Sequence, residues 1–261
     1  MTTSAAETFA ALRFEMRTIA ALPDALRPRT LNDAYETQAG LVALLLARRG
    51  GGTVGYKIAC TNPLAREQLN VPHPLYGRLL SHSTFASPAT LDASRFTTRT
   101  IEPEFGFQMA ADVPHASAPH TRESVAQYVG DAFAGIEIVD HRFTDWSAVG
   151  ANAIAADNAI HGAWVHGPAF AGWRALDLAA HQARLYVDGV EVRSGTGAAV
   201  LDHPLNAVAW LANTLPQHGL VLKAGDYITT GVVCDVYPAQ AGQSLLADFG
   251  VLGRVELAFT A

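Results

Sequence analysis

The chain has 261 residues, of which 49% are hydrophobic, and this is enough for a large core in one domain with a small additional region. Its net charge of -6, without runs of like charge, does not favour nucleic acid or an anionic membrane as a partner, and no apolar stretch reaches membrane-spanning length. The cysteines, Cys60 and Cys234, are too few for a disulfide framework and fit a reducing compartment.

The N-terminal residues carry a helical pattern. Apolar side chains recur three or four positions apart at Phe9, Leu12, Met16 and Ala20. A second helix is predicted over Leu31–Arg49, and Gly50–Gly52 end it. Residues 1–18 lack the basic start and unbroken apolar stretch of a signal peptide, so we expect a cytoplasmic protein. We predict an N-terminal helical region over 1–52 and a β-rich catalytic domain over 53–261.

Beyond residue 52 the pattern favours short strands. Asp188-Gly189 centres a predicted hairpin over Arg184–Val192, and residues 76–78 are predicted to lie in a loop after two prolines. Few strand-helix-strand alternations favour a mostly antiparallel β body. The other predicted strands are Thr53–Ala59, Arg99–Ala110, Ala134–Val139, Tyr227–Thr230, Gln243–Ala247 and Gly253–Phe259. The predicted helices are Asn62–Leu69, Thr121–Val129 and Pro204–Leu215.

Three glutamates form a candidate metal site. Alternate side chains of a strand share a face, so Glu102 and Glu104 are expected to project side by side. Carboxylates so close resist joint ionisation, and Glu137 lies in an apolar run where an unpaired acid is costly to bury. One hard divalent cation would remove both conflicts. The alternative is a pair of acids on a solvated strand face, with Glu137 on an edge strand.

Lys57 is a candidate proton carrier. Alternation within the strand 53–59 places it on the face opposite Tyr56 and Ile58. A partly desolvated lysine near a metal ion is expected to have a lowered pKa and to exchange protons readily. The alternative is a lysine on a solvated strand face.

Other polar residues are candidates for ligand contacts. Asp157-Asn158 interrupts an apolar stretch and is either a helix cap or a pair that orients a ligand or water, and His161 follows as a candidate acid or base. Arg78 is either a carboxylate clamp or a solvated loop residue. Thr230-Gly231 is either a bulge or plain turn, or a place where backbone amides approach the carboxylate of a ligand. We interpret Asp140-His141-Arg142 as a satisfied local network.

Taken together, short motifs along nearly the whole chain resemble the 2-keto-4-pentenoate hydratases of the fumarylacetoacetate hydrolase superfamily. The motifs are Gly55-Tyr56-Lys57-Ile58, Tyr76-Gly77-Arg78-Leu79, Ile101-Glu102-Pro103-Glu104, Gly135-Ile136-Glu137-Ile138-Val139-Asp140, Ala156-Asp157-Asn158, Lys223-Ala224-Gly225-Asp226, Thr230-Gly231 and Ala247-Asp248-Phe249-Gly250-Val251-Leu252-Gly253.

The resemblance implies an α+β fold, a mixed β-sandwich or roll with an N-terminal helical region. It implies Mg2+ or Mn2+ on Glu102, Glu104 and Glu137, with Lys57 as acid and base. It also implies homo-oligomers built from dimers and small keto acid substrates. With the residue patterns above, we predict Lys57, Asp157 and His161 as catalytic residues. We predict Arg78, Leu79, Asn158, Thr230 and Gly231 as substrate-binding residues.

The chain departs from the hydratase pattern around the expected site. Leu75 stands where hydratases commonly carry an acid and is closer to the 4-oxalocrotonate decarboxylases, while Ile160, His161 and Val232 replace serines. The predicted reaction is the hydration of 2-hydroxypenta-2,4-dienoate to 4-hydroxy-2-oxopentanoate in the catabolism of aromatic compounds. The alternatives are a 4-oxalocrotonate-type decarboxylase, a hydrolase or tautomerase of a related keto acid, and a keto acid binder without activity.

Overall fold

A computed structural model describes residues 4–115 and 118–261. The helices of the described chain are α1 (Ala5–Phe14), α2 (Leu31–Arg49), α3 (Pro63–Leu69), α4 (Arg122–Ala126), α5 (Ala151–Ala156) and α6 (Pro204–Thr214). The strands are β1 (Thr53–Ala59), β2 (Leu75–Leu80), β3 (Thr84–Ala86), β4 (Ala89–Asp92), β5 (Thr100–Met109), β6 (Val129–Val139), β7 (His161–His166), β8 (Gln182–Val187), β9 (Val190–Thr196), β10 (Tyr227–Val232), β11 (Tyr237–Pro238), β12 (Ser244–Asp248) and β13 (Arg254–Thr260).

Two sheets form the body of the protein. An eight-stranded sheet has the order β2-β1-β10-β5-β6-β7-β3, with β11 beside β5, and a five-stranded sheet has the order β4-β13-β12-β8-β9. Pairing is parallel between β1 and β10, between β3 and β7 and between β4 and β13, and the other pairs are antiparallel. The predicted α+β fold, a mixed sheet structure with N-terminal helices, is therefore confirmed.

Local sequence explains where several elements begin and end. The Thr30 side chain accepts a hydrogen bond from the Asp33 amide and the Asp33 side chain accepts one from the Thr30 amide, so α2 begins with a capping box. Gly50, with a φ of 76°, ends this helix in a conformation that disfavours other residues. The predicted bounds of α2 and β1 are both confirmed.

The first helix was predicted too long. The strand predicted over Ala134–Val139, which is β6, was predicted too short. Helix α1 ends at Phe14, and Met16 takes a left-handed φ of 53°, so the helical spacing that continues to Ala20 does not reflect a helix. Helix α4 ends at Ala126, and β6 begins at Val129 because its partner β5 supplies hydrogen bonds over the whole length.

The loop predicted for residues 76–78 was wrong, because they belong to β2. This strand pairs with β1 in antiparallel register, and both of its faces are largely covered. A strand covered on both faces shows no alternation of apolar and polar residues, so its sequence gives little periodic signal. The two prolines precede the strand and leave its hydrogen bonds intact.

The N-terminal helices share one continuous hydrophobic core with the sheets, which includes Phe9 of α1 and Leu41 of α2. Gln38 of α2 is buried and donates hydrogen bonds to the carbonyl oxygens of Tyr76 and Ala155. No helix in residues 4–115 and 118–261 combines the length and apolar character needed to cross a membrane.

Candidate functional site

Strands β5 and β6 bring the three predicted glutamates together. Glu102 lies opposite Glu137 in the antiparallel register, and Glu104 lies two residues further along the same face. One carboxylate oxygen from each glutamate lies within 4.8 Å of the others. Glu104 and Glu137 are fully buried, whereas Glu102 is partly exposed. The carboxylate cluster therefore has one accessible side.

The donor set of this cluster fits a hard divalent cation. Glu104 Oε1 and Glu137 Oε2 are buried and have no hydrogen-bond partner among the described residues. Buried polar atoms in folded proteins usually have a partner, so two such oxygens in one carboxylate cluster indicate a missing positive group. Carboxylate oxygens suit Mg2+ and Mn2+.

Strand β1 places Lys57 beside the carboxylate cluster. Lys57 pairs with Thr229 of β10 and Gly77 of β2, and its side chain is only 1% exposed. Its Nζ lies 3.2 Å from Glu137 Oε1 and donates a hydrogen bond of 3.1 Å to the carbonyl oxygen of Ala159. The lysine is thus held in one orientation at the edge of the cluster.

His161, at the start of β7, contacts the same oxygen of Glu137. Its Nδ1 lies 2.9 Å from Glu137 Oε1, and its Nε2 is buried without a partner among the described residues. A carboxylate accepts hydrogen bonds, so Nδ1 carries the proton and Nε2 of the neutral ring is left as an acceptor. Glu137 is therefore held from two sides, by Lys57 and by His161.

A left-handed turn leads into β7. Asn158, Ala159 and Ile160 have φ values of 55°, 47° and 54°. Each non-glycine residue in this region costs roughly 1–2 kcal/mol, and such strain concentrates at functional sites. The turn directs the Ala159 carbonyl towards Lys57.

Two further buried side chains on this face were not predicted. Thr229 Oγ1 and Trp164 Nε1 lie near Lys57 and Glu137 in register and have no hydrogen-bond partner in the described chain. The Trp164 ring fills the space over two glycines, since a Cβ at Gly106 or Gly135 would lie 2.7 or 2.6 Å from it. Two strand glycines near the glutamates were the sequence signal for this close approach.

The sequence matches the profile of the fumarylacetoacetate (FAA) hydrolase C-terminal family over residues 64–258. The chain belongs to this family. It is 34% identical over 249 residues to the 2-hydroxyhexa-2,4-dienoate hydratase of Comamonas testosteroni, and this match covers 94% of this chain and 92% of that protein. It is 32% identical over 244 residues to the 2-keto-4-pentenoate hydratase of Paraburkholderia xenovorans, at 92% and 88% coverage.

A solved structure supports the same relationship. The 4-oxalocrotonate decarboxylase from Pseudomonas putida G7, complexed with magnesium and adipate, superposes on this FAA hydrolase family member with a TM-score of 0.90. The two chains are 27% identical, and the match covers 98% of this chain and 95% of that one.

Burial and mutual repulsion control the charges of this family member's carboxylates. Burial raises the pKa of Glu102 to about 7, against the opposing effect of Lys57. Burial and the charges of Glu137 and Glu102 raise the pKa of Glu104 well above its ordinary value. Burial opposes ionisation of Glu137 as well, but Lys57 and His161 outweigh it and lower the pKa of that residue. Glu137 is therefore the most readily ionised of the three.

The Lys57 pKa was predicted to be lowered, but the groups of the protein, without a metal ion, raise it. Burial does act to lower this pKa, but the three carboxylates, Glu137 foremost, outweigh burial and raise it. The prediction considered a metal ion and desolvation without the acids that surround the ammonium.

The raised pKa of Glu102 predicts a pH dependence of the metal-free protein. This pKa is about 7 in the folded state against an ordinary 4.5, so the folded state holds the proton more tightly. The resulting stability is complete below pH 4.5 and is lost as the pH rises to about 7. We expect the melting temperature in EDTA to fall more steeply across this window for the wild type than for Glu102→Gln. Parallel profiles would contradict the assignment.

Not all predicted site residues reach the cluster. The Asp157 carboxylate is engaged by Arg13 Nε at 2.8 Å and by the Arg142 amide at 3.2 Å. The Asn158 side chain accepts from the Arg78 amide and donates to the Arg78 carbonyl, so it fixes the backbone of β2. Both residues thus organise the backbone around the site, and their predicted contact with substrate stays a prediction.

The register of β1 and β2 separates Arg78 from Lys57. Arg78 pairs with Tyr56, stacks on its ring at 4.7 Å and donates to its hydroxyl, so it occupies the face opposite Lys57. Leu79, one residue on, lies on the Lys57 face and is buried. Leu79 therefore lies on the face of the sheet that carries Lys57 and Arg78 lies on the other face, and the predicted substrate contacts of both residues stay predictions.

Thr230 and Gly231 support the cluster from the end of β10. The Thr230 hydroxyl donates to the carbonyl oxygen of Phe105, and the Gly231 amide donates to Glu104 Oε2 at 2.8 Å. The Gly231 amide thus binds a carboxylate of the protein itself, that of Glu104, and the predicted contact of Thr230 and Gly231 with a ligand carboxylate stays a prediction.

Replacing Gly231 with alanine is expected to destabilise the fold and weaken Mg2+ binding. Gly231 has a φ of 102°, and a Cβ there would overlap the Thr61 hydroxyl, so the amide must move away from Glu104. Gly189→Ala is the matched control, because Gly189 has a φ of 82° and open space around it. The control should lose about 1–2 kcal/mol of stability from strain and keep its Mg2+ affinity. Equal effects of the two variants would contradict this role.

Proposed function

We propose that this chain is a Mg2+- or Mn2+-dependent lyase that hydrates 2-hydroxypenta-2,4-dienoate to 4-hydroxy-2-oxopentanoate. The observation that carries the proposal is the buried carboxylate cluster with Lys57 Nζ 3.2 Å from Glu137. The similarity to two hydratases over more than nine tenths of this chain supports this choice of reaction.

The contacts of the residues support the roles that we propose for them. Bound Mg2+ would supply a Lewis acid that stabilises the enolate of a 2-oxo acid. Glu102, Glu104 and Glu137 would hold it. Lys57, anchored by the Ala159 carbonyl, would carry a proton to and from the carbon chain on Nζ. His161 orients Glu137 through Nδ1.

The surroundings of these residues exclude bulk water. Trp164 covers the strands of the glutamates and packs beside Phe133, His166 and Tyr227. Leu79 is buried on the Lys57 face of β2. Partly exposed Glu102 marks the side from which a small keto acid would enter.

Decarboxylation of 4-oxalocrotonate is the second candidate, and Leu75 favours it. Leu75 is fully buried and lies on the Lys57 face of β2, where hydratases commonly carry an acid. A substrate carboxylate next to an apolar side chain is unfavourable, because its charge is not solvated there. Loss of that carboxylate as neutral carbon dioxide removes this unfavourable contact. The structural match to a decarboxylase supports this alternative as well.

The deciding experiment supplies the Mg2+-loaded protein with 2-hydroxypenta-2,4-dienoate and, separately, with 4-oxalocrotonate, and identifies the products by mass. Addition of one water to the first substrate would support the hydratase. Loss of carbon dioxide from the second alone would replace it with the decarboxylase. Neither product, with Mg2+ demonstrably bound, would overturn both and leave a hydrolase, a tautomerase or a binder.

A further inference from the structure

A second group of charged residues surrounds a cavity outside the carboxylate cluster. The cavity has a volume of about 40 Å3 and lies where α1 and α2 meet the end of the large sheet. We call it the arginine cavity, because Arg13, Arg49, Arg95 and Arg142 line it. A water needs roughly 10–15 Å3 on this scale, so the space suits a few waters or one small ion.

The charges around the arginine cavity do not balance. Asp140 is the one carboxylate among the described residues that line it, and it pairs with Arg142. Arg13 pairs with Asp157 nearby. Arg49 and Arg95 are exposed at the cavity and form no ion pair with a described residue. Two positive charges are therefore in excess.

Arg142 has donors that no protein group uses, unlike Arg13. Each nitrogen of the Arg13 guanidinium donates, to Asp157 or to the His161 carbonyl. Arg142 is only 1% exposed, yet its Nε and Nη1 have no hydrogen-bond partner in the described chain. The interpretation of Asp140-His141-Arg142 as a satisfied network was therefore wrong. Buried guanidinium donors without acceptors indicate a ligand or water that completes them.

We propose that the arginine cavity binds a small oxyanion with two negative charges, of the class of inorganic phosphate. A planar guanidinium donates two parallel hydrogen bonds to such an oxyanion, and the excess of two positive charges matches its charge. At about 40 Å3, the cavity cannot hold both this oxyanion and a keto acid of substrate size. The proposal is independent of the reaction at the carboxylate cluster.

The arginine cavity and the carboxylate cluster share a wall. His161 lines the cavity, and its Nδ1 contacts Glu137 of the cluster. An anion in the cavity would therefore lie one side chain away from the carboxylate cluster.

The test is a titration of the 261-residue chain with inorganic phosphate, in which binding is measured by calorimetry at constant ionic strength. We expect saturable binding in EDTA and in Mg2+. Arg49→Gln combined with Arg95→Gln should weaken it by about tenfold or more through the loss of charge-assisted contacts. Arg48→Gln is the matched control, because Arg48 and Arg49 contact the Phe14 ring at the same 5.7 Å but only Arg49 lines the cavity.

Several results would overturn the proposal. These are absence of saturable binding, equal affinity in the double variant and the wild type, and binding only when Mg2+ is present, which would place phosphate at the carboxylate cluster. Arg142→Gln removes a buried partner of Asp140 and risks misfolding, so the exposed arginines carry the test. A crystal structure with saturating phosphate should show the ion beside Arg142 Nε, and ordered water alone would refute it.

Discussion

Replacing Lys57 with methionine is expected to lower turnover by about 10²–10⁴-fold, the contribution typical of a positioned acid or base. The Lys57 side chain is almost fully buried, and an apolar methionine of similar volume suits a buried position. The fold should therefore be retained. Mg2+ affinity should stay equal or rise, because a positive charge beside the glutamates is removed. Steady-state kinetics and calorimetry of Mg2+ binding measure the two effects separately.

The chain provides a matched control in its other lysine. The sequence contains only Lys57 and Lys223, and Lys223 is 59% exposed in a surface ion pair with Asp112. Lys223→Met should leave turnover and Mg2+ affinity unchanged. If Lys57→Met reduced both quantities equally, Lys57 would be a structural residue.

Replacing Glu104 with glutamine is expected to abolish turnover. It should also weaken Mg2+ binding by more than the roughly 10–100-fold that follows the loss of a residue hydrogen-bonded to a metal ligand. Glutamine keeps the shape and can still accept from the Gly231 amide. The metal-free variant should be more stable than the wild type at neutral pH. The reason is that the raised pKa of Glu104 reflects the cost of its ionised form among other acids.

Melting curves in EDTA and in Mg2+ would show this reversal directly. The wild type should gain more from Mg2+ than Glu104→Gln does. Glu256→Gln, an exposed position on β13, should behave like the wild type. Undiminished turnover of Glu104→Gln would remove the metal assignment altogether.

The carboxylate cluster was predictable because its geometry is mostly local. Alternation along one strand is enough to place Glu102 and Glu104 on one face. The cost of burying Glu137 in an apolar run then points to a shared partner. The bounds of β1 and α2 were likewise predictable, since glycines and a capping box end or begin them in sequence.

The rest of the site depends on pairing between distant segments. Whether Thr229 or Thr230 faces Lys57 is decided by the parallel register of β1 and β10, which are about 170 residues apart in the chain. The same limit explains why the sequence could not show that the Arg78 side chain lies on the face of the sheet opposite Lys57. Periodicity within one segment contains no information about which face of the sheet a partner occupies.

The left-handed turn was beyond sequence reasoning for another reason. Asn158 tolerates this conformation, but Ala159 and Ile160 do not favour it, so local preference predicts something else. The surrounding hydrogen bonds, including the two between the Asn158 side chain and the Arg78 backbone, stabilise the turn. Local preference and tertiary structure conflict here, next to the candidate active site.

Arg13 of α1 determines how far the protein can be shortened. A chain that starts at β1 would leave Asp157 buried without its guanidinium and would remove the Phe9 ring from its contact with Phe143. Loss of one partner of a buried ion pair costs about 3–5 kcal/mol, a large part of the roughly 5–15 kcal/mol that stabilises a domain. The glycines after α2 mark a change in secondary structure, whereas the smallest unit that folds on its own is expected to include both helices.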